Sequence, residues 1–93
     1  MALKTLFLLP HRVRDGAALA ERLEAGDGLL LLEEGVYNRA LTVPQGVACW
    51  ALAADCEVRG LSASPFETLS DADFVSKVAE AARVVTLSRS LVD

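Results

Sequence analysis

Residues 28–32 read Gly28-Leu29-Leu30-Leu31-Leu32, a short apolar run with no polar residue inside it. Such a run at strand length is typical of a strand that is buried on both faces of a parallel sheet. Nearly unbroken runs of the same kind occupy residues 3–9, ended by Pro10, and residues 47–52. Together the three runs predict the centre of a parallel β-sheet.

Helix signals lie in the gaps between the three runs. Asp15 is suited to cap a helix that continues through Ala25 and ends at Gly26, since glycine readily adopts the left-handed conformation. After the second run, apolar residues recur at helical spacing over residues 36–41, which predicts a second, short helix. After the third run, residues 55–59 allow one or two helical turns. Each of these predicted strands is therefore followed by a helix.

The helix start with the clearest signal follows Ser70. Ser70 has Asp73 three residues later, so its hydroxyl is placed to cap the first turn. Leu69 and Phe74 occupy the two positions that a hydrophobic staple joins. The pattern predicts a helix over residues 71–82 that buries three apolar side chains, Phe74, Val75 and Val78.

Two further short strands, over residues 66–69 and 84–87, bring the number of predicted strands to five. Strands that alternate with helices through short connections need right-handed crossovers and give a parallel sheet covered on both faces. We therefore predict an α/β fold, a three-layer α/β/α sandwich with a mostly parallel five-stranded sheet of the flavodoxin-like kind. One domain spans residues 1–93, and residues 88–93 are expected to be a disordered tail.

The overall charge and hydropathy disfavour several classes of function. The net charge is -4 and the isoelectric point about 4.9, so the field of the molecule repels phosphate backbones, and we expect no direct binding of nucleic acid. Apolar residues make up 53% of the chain, above the usual share of roughly 45–50%, and the excess favours a protein interface. No window approaches the roughly 18 apolar residues of a membrane-spanning helix, and the first run reads as a strand rather than a signal peptide. We expect a soluble, cytoplasmic protein.

Metal and cofactor sites are not indicated. Cys49 and Cys56 are too few for a disulfide framework, and their spacing suits no common zinc site. The chain has one histidine, so four metal ligands from one protomer are not to be expected. The loop over residues 10–16 lacks the glycine and hydroxyl spacing of a phosphate cradle, which disfavours a flavin or nucleotide. We expect no metal and no cofactor.

Cys56 is the one candidate for a catalytic thiol. It follows the third strand at a predicted helix start, where the helix dipole favours a thiolate. Its neighbours Asp55 and Glu57 oppose a thiolate, so a helix-facing structural residue is the favoured interpretation and no catalytic residue is expected. Cys49, within the third strand, is interpreted as a small hydrophobic residue.

His11, Glu33 and Glu34 are the other residues near predicted strand ends that are capable of acid–base chemistry. The sequence places no serine or cysteine beside His11, so we interpret it as a solvated loop histidine. Adjacent residues at a strand end point apart, so the two glutamates are interpreted as a solvated turn. Three basic residues, Lys4, Arg12 and Arg14, are also interpreted as residues of solvated loops.

Four segments resemble, in the same order, the segments of one protein family. They are residues 3–6 with Pro10; residues 26–37, which read Gly-Asp, an apolar run and then Glu-Gly-Val-Tyr; Asp55 with Arg59-Gly60-Leu61; and residues 73–75 with residues 84–86. In this arrangement, which covers almost the whole chain, the sequence resembles the DsrH/TusB family of sulfur-relay subunits. The resemblance implies a DsrE-like fold and a place beside paralogous DsrE/DsrF (TusD/TusC)-like subunits. Such subunits pass persulfide sulfur toward the 2-thiouridine of tRNA or within sulfur oxidation.

The chain also departs from the family pattern. In such assemblies the main sulfur-carrying cysteine belongs to another subunit, and the cysteine that some members carry in the first helix is absent near Leu19. Leu9 stands where a serine is usual before the proline, and Leu87 stands where a terminal tryptophan is common. The segment between Tyr37 and Val47 is shorter than in the tRNA-thiolation subunits, so the second helix is trimmed.

We therefore expect a non-catalytic structural or partner-binding subunit of a sulfur-relay assembly. Gly35 is expected to permit the tight turn from strand to helix, and Tyr37 to offer amphipathic contact area. Asp55 and Arg59, four residues apart, are expected to form an ion pair that orients the following loop. The residues expected at the interface are Gly35, Val36, Tyr37, Leu41, Asp55 and Arg59.

Two alternatives remain open. One is a small sulfurtransferase or redox protein that uses Cys56 as an acceptor thiol. The other is a homo-oligomeric module with no sulfur role, because the trimmed second helix leaves an apolar patch that a second copy can cover. We expect a dimer or larger species, alone or with a paralogous subunit, whose interface includes Val36, Tyr37 or Leu41.

Overall fold

Five strands form one sheet in which every pairing is parallel. The computed structural model describes residues 3–88. The strands are β1 (Thr5–Leu9), β2 (Gly28–Leu31), β3 (Ala48–Leu52), β4 (Glu67–Leu69) and β5 (Arg83–Thr86). The α/β fold with a five-stranded parallel sheet that the sequence predicts is confirmed.

The chain builds this sheet outward from β1 and then returns to it. The strand order is β4-β3-β2-β1-β5, so β2, β3 and β4 are added one after another on one side of β1, and β5 pairs with the other side. In the 2-1-3-4-5 order of flavodoxin itself, the second strand takes that outer place. β1 therefore pairs with one strand close in sequence and one that is distant.

Within residues 3–88, four helical segments connect the strands. They are α1 (Gly16–Ala20), a 3₁₀ helix (Glu33–Asn38), α2 (Ala53–Val58) and α3 (Asp71–Glu80). α1 ends at Ala20 and not at Ala25, because the chain continues in turns whose amides bond to carbonyls three residues back. In place of the predicted second helix over residues 36–41, the structure has the 3₁₀ helix, which begins at the sharp turn at Glu33, where φ is 52°.

The two faces of the sheet carry separate groups of core side chains. Successive residues of a strand point to opposite faces, so Leu29 and Leu31 of β2 pack on one face and Leu30 packs on the other. Core side chains from α1, the 3₁₀ helix and α2 join the first face, and α3 lies on the second. This distribution is compatible with the three layers that the sequence predicts. The first-face side chains from those three helices are Leu19, Val36 and Cys56.

α3 begins where the sequence predicts. The Asp73 amide donates a hydrogen bond to the Ser70 hydroxyl at 3.1 Å, which is the predicted cap. Leu69 and Phe74 belong to the same group of packed side chains on the second face, as expected for a hydrophobic staple. The start of this helix is thus fixed by local sequence.

α3 buries fewer apolar side chains than the sequence predicts. Val75 and Val78, both expected to be buried, are 66% and 37% exposed. A single helix on a sheet buries one narrow stripe, and Lys77 lies in that stripe, with Nζ 5.1 Å from the centre of the Trp50 ring. The two valines lie on the flank of the stripe, where no second helix of the described residues covers them.

The Ser70→Ala variant is expected to unfold at a lower urea concentration than the unchanged protein. It removes the acceptor of the Asp73 amide at an exposed helix start, which costs about 1 kcal/mol. Ser76→Ala is the control, because that hydroxyl bonds only to the Ala72 carbonyl within the same helix. Urea titration followed by circular dichroism measures both midpoints. Equal midpoints for the two variants would show that the cap does not stabilise α3.

The C-terminal end of the described chain continues along β1 after β5. Leu87, part of the predicted fifth strand, follows β5 and is buried, and its amide donates to the Leu8 carbonyl at 2.8 Å. Of the predicted tail over residues 88–93, residues 89–93 lie outside the described residues. None of the helices within residues 3–88 has the length and apolar content needed to cross a membrane.

Candidate functional site

The loops after β1, β2, β3 and β4 meet along one side of the sheet, which we call the carboxyl edge. It comprises residues 10–15, 32–38, 53–59 and 70–73. Because the carboxyl ends of parallel strands lie together, residues that are distant in sequence come together there, and ligands of such sheets usually bind there. Every predicted interface residue except Leu41 lies at this edge.

Gly35 lies against the end of β1. A Cβ atom at this position would overlap the Leu9 carbonyl oxygen and would lie 2.8 Å from the Leu9 carbonyl carbon. The left-handed residue at this turn is Glu33, and Gly35 has no positive φ. Gly35 therefore does not supply the left-handed conformation of the turn. Glycine is required there because the two backbones approach closely where the chain folds back against β1.

Glu33 makes the sharp turn out of β2. Its φ of 52° is a conformation that residues other than glycine seldom adopt. Its amide donates to Asp55 Oδ2 at 2.8 Å, so the loop after β3 satisfies the group that the turn exposes. Asp55 thereby ties the ends of β2 and β3 together.

Arg59 joins the same two loops. Its Nε donates to Glu34 Oε2 at 2.9 Å, and its Nη1 donates to the Asp55 carbonyl oxygen at 3.1 Å. The predicted ion pair between Asp55 and Arg59 is present at 3.8 Å. The hydrogen bond to Glu34, which the sequence does not predict, raises the pKa of Arg59 above its ordinary value. Partly exposed pairs add little stability, so this network serves mainly to orient the loops.

His11 is buried, and its interpretation as a solvated loop residue is wrong. It is 7% exposed, with Nε2 3.1 Å from the Leu87 carbonyl oxygen and Nδ1 3.1 Å from the Arg12 carbonyl oxygen. The ring therefore connects the loop after β1 to the end of β5. The interpretation fails because Leu87 reaches His11 only through the pairing of β1 with β5, which local sequence does not reveal.

Asn38 holds the loop after β1 from the other side. Its Nδ2 donates to the His11 carbonyl oxygen at 2.8 Å, and its Oδ1 accepts from the Val13 amide at 3.0 Å. Asn38 is buried, and its bond to the His11 carbonyl oxygen is shielded from water. His11 and Asn38 together fix the backbone on both sides of Arg12.

Arg12 lies over the ring of Tyr37. The guanidinium carbon is 4.1 Å from the ring centroid, which is the distance of a cation–π contact. Arg12 is exposed and Tyr37 is 37% exposed, so the pair forms an amphipathic surface on a rigid backbone. The structure thus places Tyr37 where it can offer the contact area expected of it.

The other predicted interface residues differ in accessibility. Gly35 and Val36 are buried, and Val36 is 0% exposed, so its side chain belongs to the core and its expected place at an interface is not compatible with that burial. Asp55 and Arg59 are partly exposed within their hydrogen-bond network. Leu41 is partly buried and packs against Gly16 of α1, outside the ranges that define the carboxyl edge.

A shallow groove of about 450 Å³ lies between α1 and the segment that follows the 3₁₀ helix. It coincides with the region of the trimmed second helix, where the sequence predicts an apolar patch. A Cβ atom at Gly16 would lie 2.7 Å from Leu41 Cδ2, so the glycine lets Leu41 pack close to α1. The groove is lined by Gly16, Ala17, Ala20, Ala40, Leu41 and Thr42.

Both cysteines are withdrawn from the surface. Cys56 is 2% exposed and belongs to the first-face core, and because α2 begins at Ala53, Cys56 does not lie at the helix start as predicted. Burial raises the pKa of the Cys56 thiol, and the nearby Arg39 opposes that shift. Cys49 is partly buried on β3, as its interpretation as a small hydrophobic residue requires, and burial raises its pKa to about 11.

Both thiols are expected to react slowly with iodoacetamide in the native protein. A raised pKa leaves less thiolate at pH 8 than in free cysteine, whose pKa is about 8.5, so we expect rates at least about tenfold below those of the urea-unfolded chain. The Cys49→Ser and Cys56→Ser variants separate the two thiols, and mass spectrometry across the pH range measures each rate. Fast alkylation of Cys56 with a midpoint below that of free cysteine would contradict this result.

The buried polar side chains of the carboxyl edge, those of His11 and Asn38, are bonded to backbone groups. Within residues 3–88, every buried side-chain nitrogen or oxygen has a hydrogen-bond partner. No three His, Cys, Asp or Glu side chains of the described residues lie close enough together to hold a metal ion. Among the exposed groups of this edge, the Arg12–Tyr37 pair combines an aromatic ring with a charge.

Comparison with known proteins adds no family assignment. No protein-family model matches this chain, and no curated protein is similar to it. The DsrH/TusB resemblance therefore rests on the ordered segments of the sequence, and the sulfur-relay function that it implies is a proposal.

Proposed function

We propose that this chain is a non-catalytic, partner-binding subunit of a sulfur-relay assembly. Such an assembly passes persulfide sulfur between subunits, toward the 2-thiouridine of tRNA or within sulfur oxidation. The observation that carries the binding role is the Arg12–Tyr37 pair, exposed at the carboxyl edge with its guanidinium 4.1 Å from the ring centroid. The ordered resemblance to the DsrH/TusB family supplies the kind of assembly.

The rigidity of this surface favours binding. The buried side chains of His11 and Asn38 hold the backbone around Arg12, so a partner that covers the pair orders little that is not already ordered. Tyrosine and arginine are also the residue types that most often dominate the energy of protein interfaces. The geometry therefore supports a docking surface at this edge.

The placement of the thiols supports a non-catalytic role. A sulfur carrier needs a thiol that is accessible and ionised. Burial makes Cys56 inaccessible and, by raising its pKa, opposes ionisation. The pKa of Cys49 is raised to about 11. This agrees with an assembly in which another subunit provides the sulfur-carrying cysteine.

The partners that we propose are paralogous DsrE/DsrF (TusD/TusC)-like subunits, or a second copy of the chain, in the cytoplasm. The acidic balance of the chain, with net charge -4, disfavours direct contact with tRNA, since such contacts rely on the release of counterions by basic residues. In a tRNA-thiolation pathway, the partners would provide the tRNA contact.

The proposal is tested by mixing the purified chain with purified DsrE-like and DsrF-like subunits of the same organism. Sedimentation velocity is expected to show a complex heavier than any component. Tyr37→Asp should weaken it at least about tenfold, because it forces a charge into the buried contact. Val75→Asp is the matched control, since Val75 is an exposed apolar residue on α3, on the other face. Failure to bind either subunit would contradict the proposed role.

A persulfide-transfer measurement separates this role from a sulfurtransferase that uses Cys56. The DsrE-like subunit is first loaded with persulfide so that it is the sulfur donor. The Cys49→Ser and Cys56→Ser variants are then expected to leave unchanged both the formation of the complex and the transfer of sulfur from that donor. Transfer that is lost in Cys56→Ser alone, with the complex intact, would assign the acceptor thiol to this chain.

A further inference from the structure

Two arginines in the loop after β1 carry charges that the protomer does not neutralise. Arg12 and Arg14 are exposed, on either side of Val13, which packs against the first-face core. Within residues 3–88 neither arginine takes part in an ion pair. We call Arg12 and Arg14 the basic pair. It is a local positive charge on a chain whose net charge is -4.

Arg59, at the same edge, differs from the basic pair because carboxylates of the protomer bind it. Its Nε lies 2.9 Å from Glu34 Oε2, and its Nη1 lies 3.8 Å from Asp55 Oδ1. Asp15, which follows the basic pair in the chain, caps α1, where its Oδ1 accepts hydrogen bonds from two amides. The charge of the basic pair is therefore available to a group outside the protomer.

The contact with Tyr37 orients Arg12 without using its hydrogen-bond donors. The guanidinium carbon lies 4.1 Å from the ring centroid, a distance at which the flat face of the guanidinium rests on the ring. The N–H donors lie in the plane of the group, so stacking leaves them available at its edge. His11 and Asn38 hold the backbone on both sides of Arg12. The position of this fork of donors is therefore set before a partner binds.

A carboxylate is a group that this fork fits. A planar guanidinium binds both oxygens of a carboxylate through two parallel hydrogen bonds. Arg12 and Arg14 are two residues apart, so their Cα atoms are at most about 7 Å apart. Alternate residues of an extended chain are about 6.6 Å apart and point to the same side. An extended segment with carboxylates at alternate residues therefore matches the basic pair.

We infer that Tyr37 and the basic pair bind an extended acidic segment of a partner protein. Arg12 and Arg14 each receive one carboxylate, and an adjoining apolar side chain of the segment covers the exposed part of the Tyr37 ring. This names the chemistry of the partner at the surface to which the proposed function assigns protein binding, and it rests on that assignment.

Carboxylates of a protein fit this surface better than the phosphates of a nucleic acid. A nucleic acid carries a phosphate at every nucleotide and binds along a groove of several basic residues. Exposed acidic residues lie in the segments of the edge that adjoin the basic pair: Asp15, Glu33 and Glu34. The phosphates next to a bound one would therefore face negative charge, whereas a protein segment can place carboxylates opposite the basic pair alone.

Two labelled peptides test the inference directly. In one, glutamate alternates with leucine, and in the other glutamine replaces each glutamate. Fluorescence anisotropy at about 50 mM salt, where charges are weakly screened, is expected to give a Kd at least about tenfold lower for the glutamate peptide. Arg12→Gln with Arg14→Gln is expected to reduce that difference to within about twofold, because it removes both cations that the carboxylates bind.

Two further variants are the controls. Arg22→Gln with Arg83→Gln removes the same number of positive charges at exposed residues outside the carboxyl edge, and it should change the Kd of the glutamate peptide by less than about twofold. Arg12→Lys keeps the charge but not the planar fork, so its Kd should lie between those of the unchanged protein and Arg12→Gln. Urea denaturation of each variant shows that it is folded.

Three results would overturn the inference. The first is a glutamate peptide that, up to about 1 mM protein, binds no better than the glutamine peptide. The second is a preference for glutamate that persists when both arginines of the basic pair are replaced. The third is a labelled oligouridine that binds more tightly than the glutamate peptide and is lost in the same variant, which would assign the surface to nucleic acid.

These results are distinguishable from a failure of the proposed function. If the inference is overturned but a DsrE-like subunit binds this chain through Tyr37, the proposed function stands. If the glutamate peptide binds through the basic pair but neither paralogous subunit binds, the inference is supported and the sulfur-relay role is contradicted.

Discussion

The Gly35→Ala variant is expected to lose roughly 3 kcal/mol or more of its free energy of unfolding, the upper end of the cost of overpacking. The added Cβ would overlap the Leu9 carbonyl oxygen, which is backbone at the end of a central strand and cannot rotate away. The 3₁₀ helix would have to move off β1, which would disturb Val36 in the core beside it. A domain of 93 residues is typically stable by only about 5–14 kcal/mol, so this loss is large.

Gly60→Ala is the control for the urea titration of this variant. Gly60 has a φ of 63° and no atom within 4 Å of the position of an added Cβ, so the same chemical change there costs only the backbone strain of about 1–2 kcal/mol. If Gly35→Ala is no less stable than Gly60→Ala, the close approach of the two backbones does not limit the fold.

The Asn38→Ala variant is expected to lose about 2–4 kcal/mol. It leaves the part-buried Val13 amide and the buried His11 carbonyl oxygen without this partner, and each buried unsatisfied group costs about 1–3 kcal/mol. The loop that carries Arg12 should loosen at the same time. Two measurements are therefore informative: the urea midpoint, and hydrogen exchange of the Val13 amide, which should become much faster.

Thr42→Ala is the control for Asn38→Ala, since Thr42 is an exposed residue of the same connection and its replacement should change stability by less than about 0.5 kcal/mol. Equal stability of the two variants, or unchanged protection of the Val13 amide in Asn38→Ala, would show that Asn38 does not hold the loop.

The sequence predicts β2 well because burial on both faces leaves an unbroken apolar run, whereas β4 and β5 are largely exposed and are predicted from their alternation with helices. The run over residues 28–32 contains β2, and the cap at Ser70 fixes the start of α3. The strand order does not follow from such signals, because it depends on which distant segments pair. Local patterns also do not show the width of the stripe that a helix buries. The prediction that Val75 is buried is wrong for this reason.

The candidate site is predictable only in part. Tyr37, Asp55 and Arg59 follow apolar runs in the sequence, which places them in or directly after the helical segments that follow β2 and β3, and this is where the structure has them. The partners that position them come from other loops: Arg12 lies over Tyr37, and Glu34 binds Arg59. Arg59 and Glu34 are 25 residues apart in the sequence. The periodic patterns that predict helices and strands do not reveal contacts over such separations.

The pairing of β1 with β5 has a consequence for the order in which the protein acquires its structure during synthesis. The first four strands need only neighbours that emerge soon after them, so this part of the sheet can form progressively as the chain leaves the ribosome. The free side of β1 must wait for β5, and His11 must wait for the Leu87 carbonyl, 76 residues later in the chain. Contacts of such long sequence separation carry the largest loop-closure cost and slow folding most. Until then β1 presents an unpaired apolar edge to the cell, so the nascent chain passes through an interval in which it is open to aggregation or to the binding of chaperones.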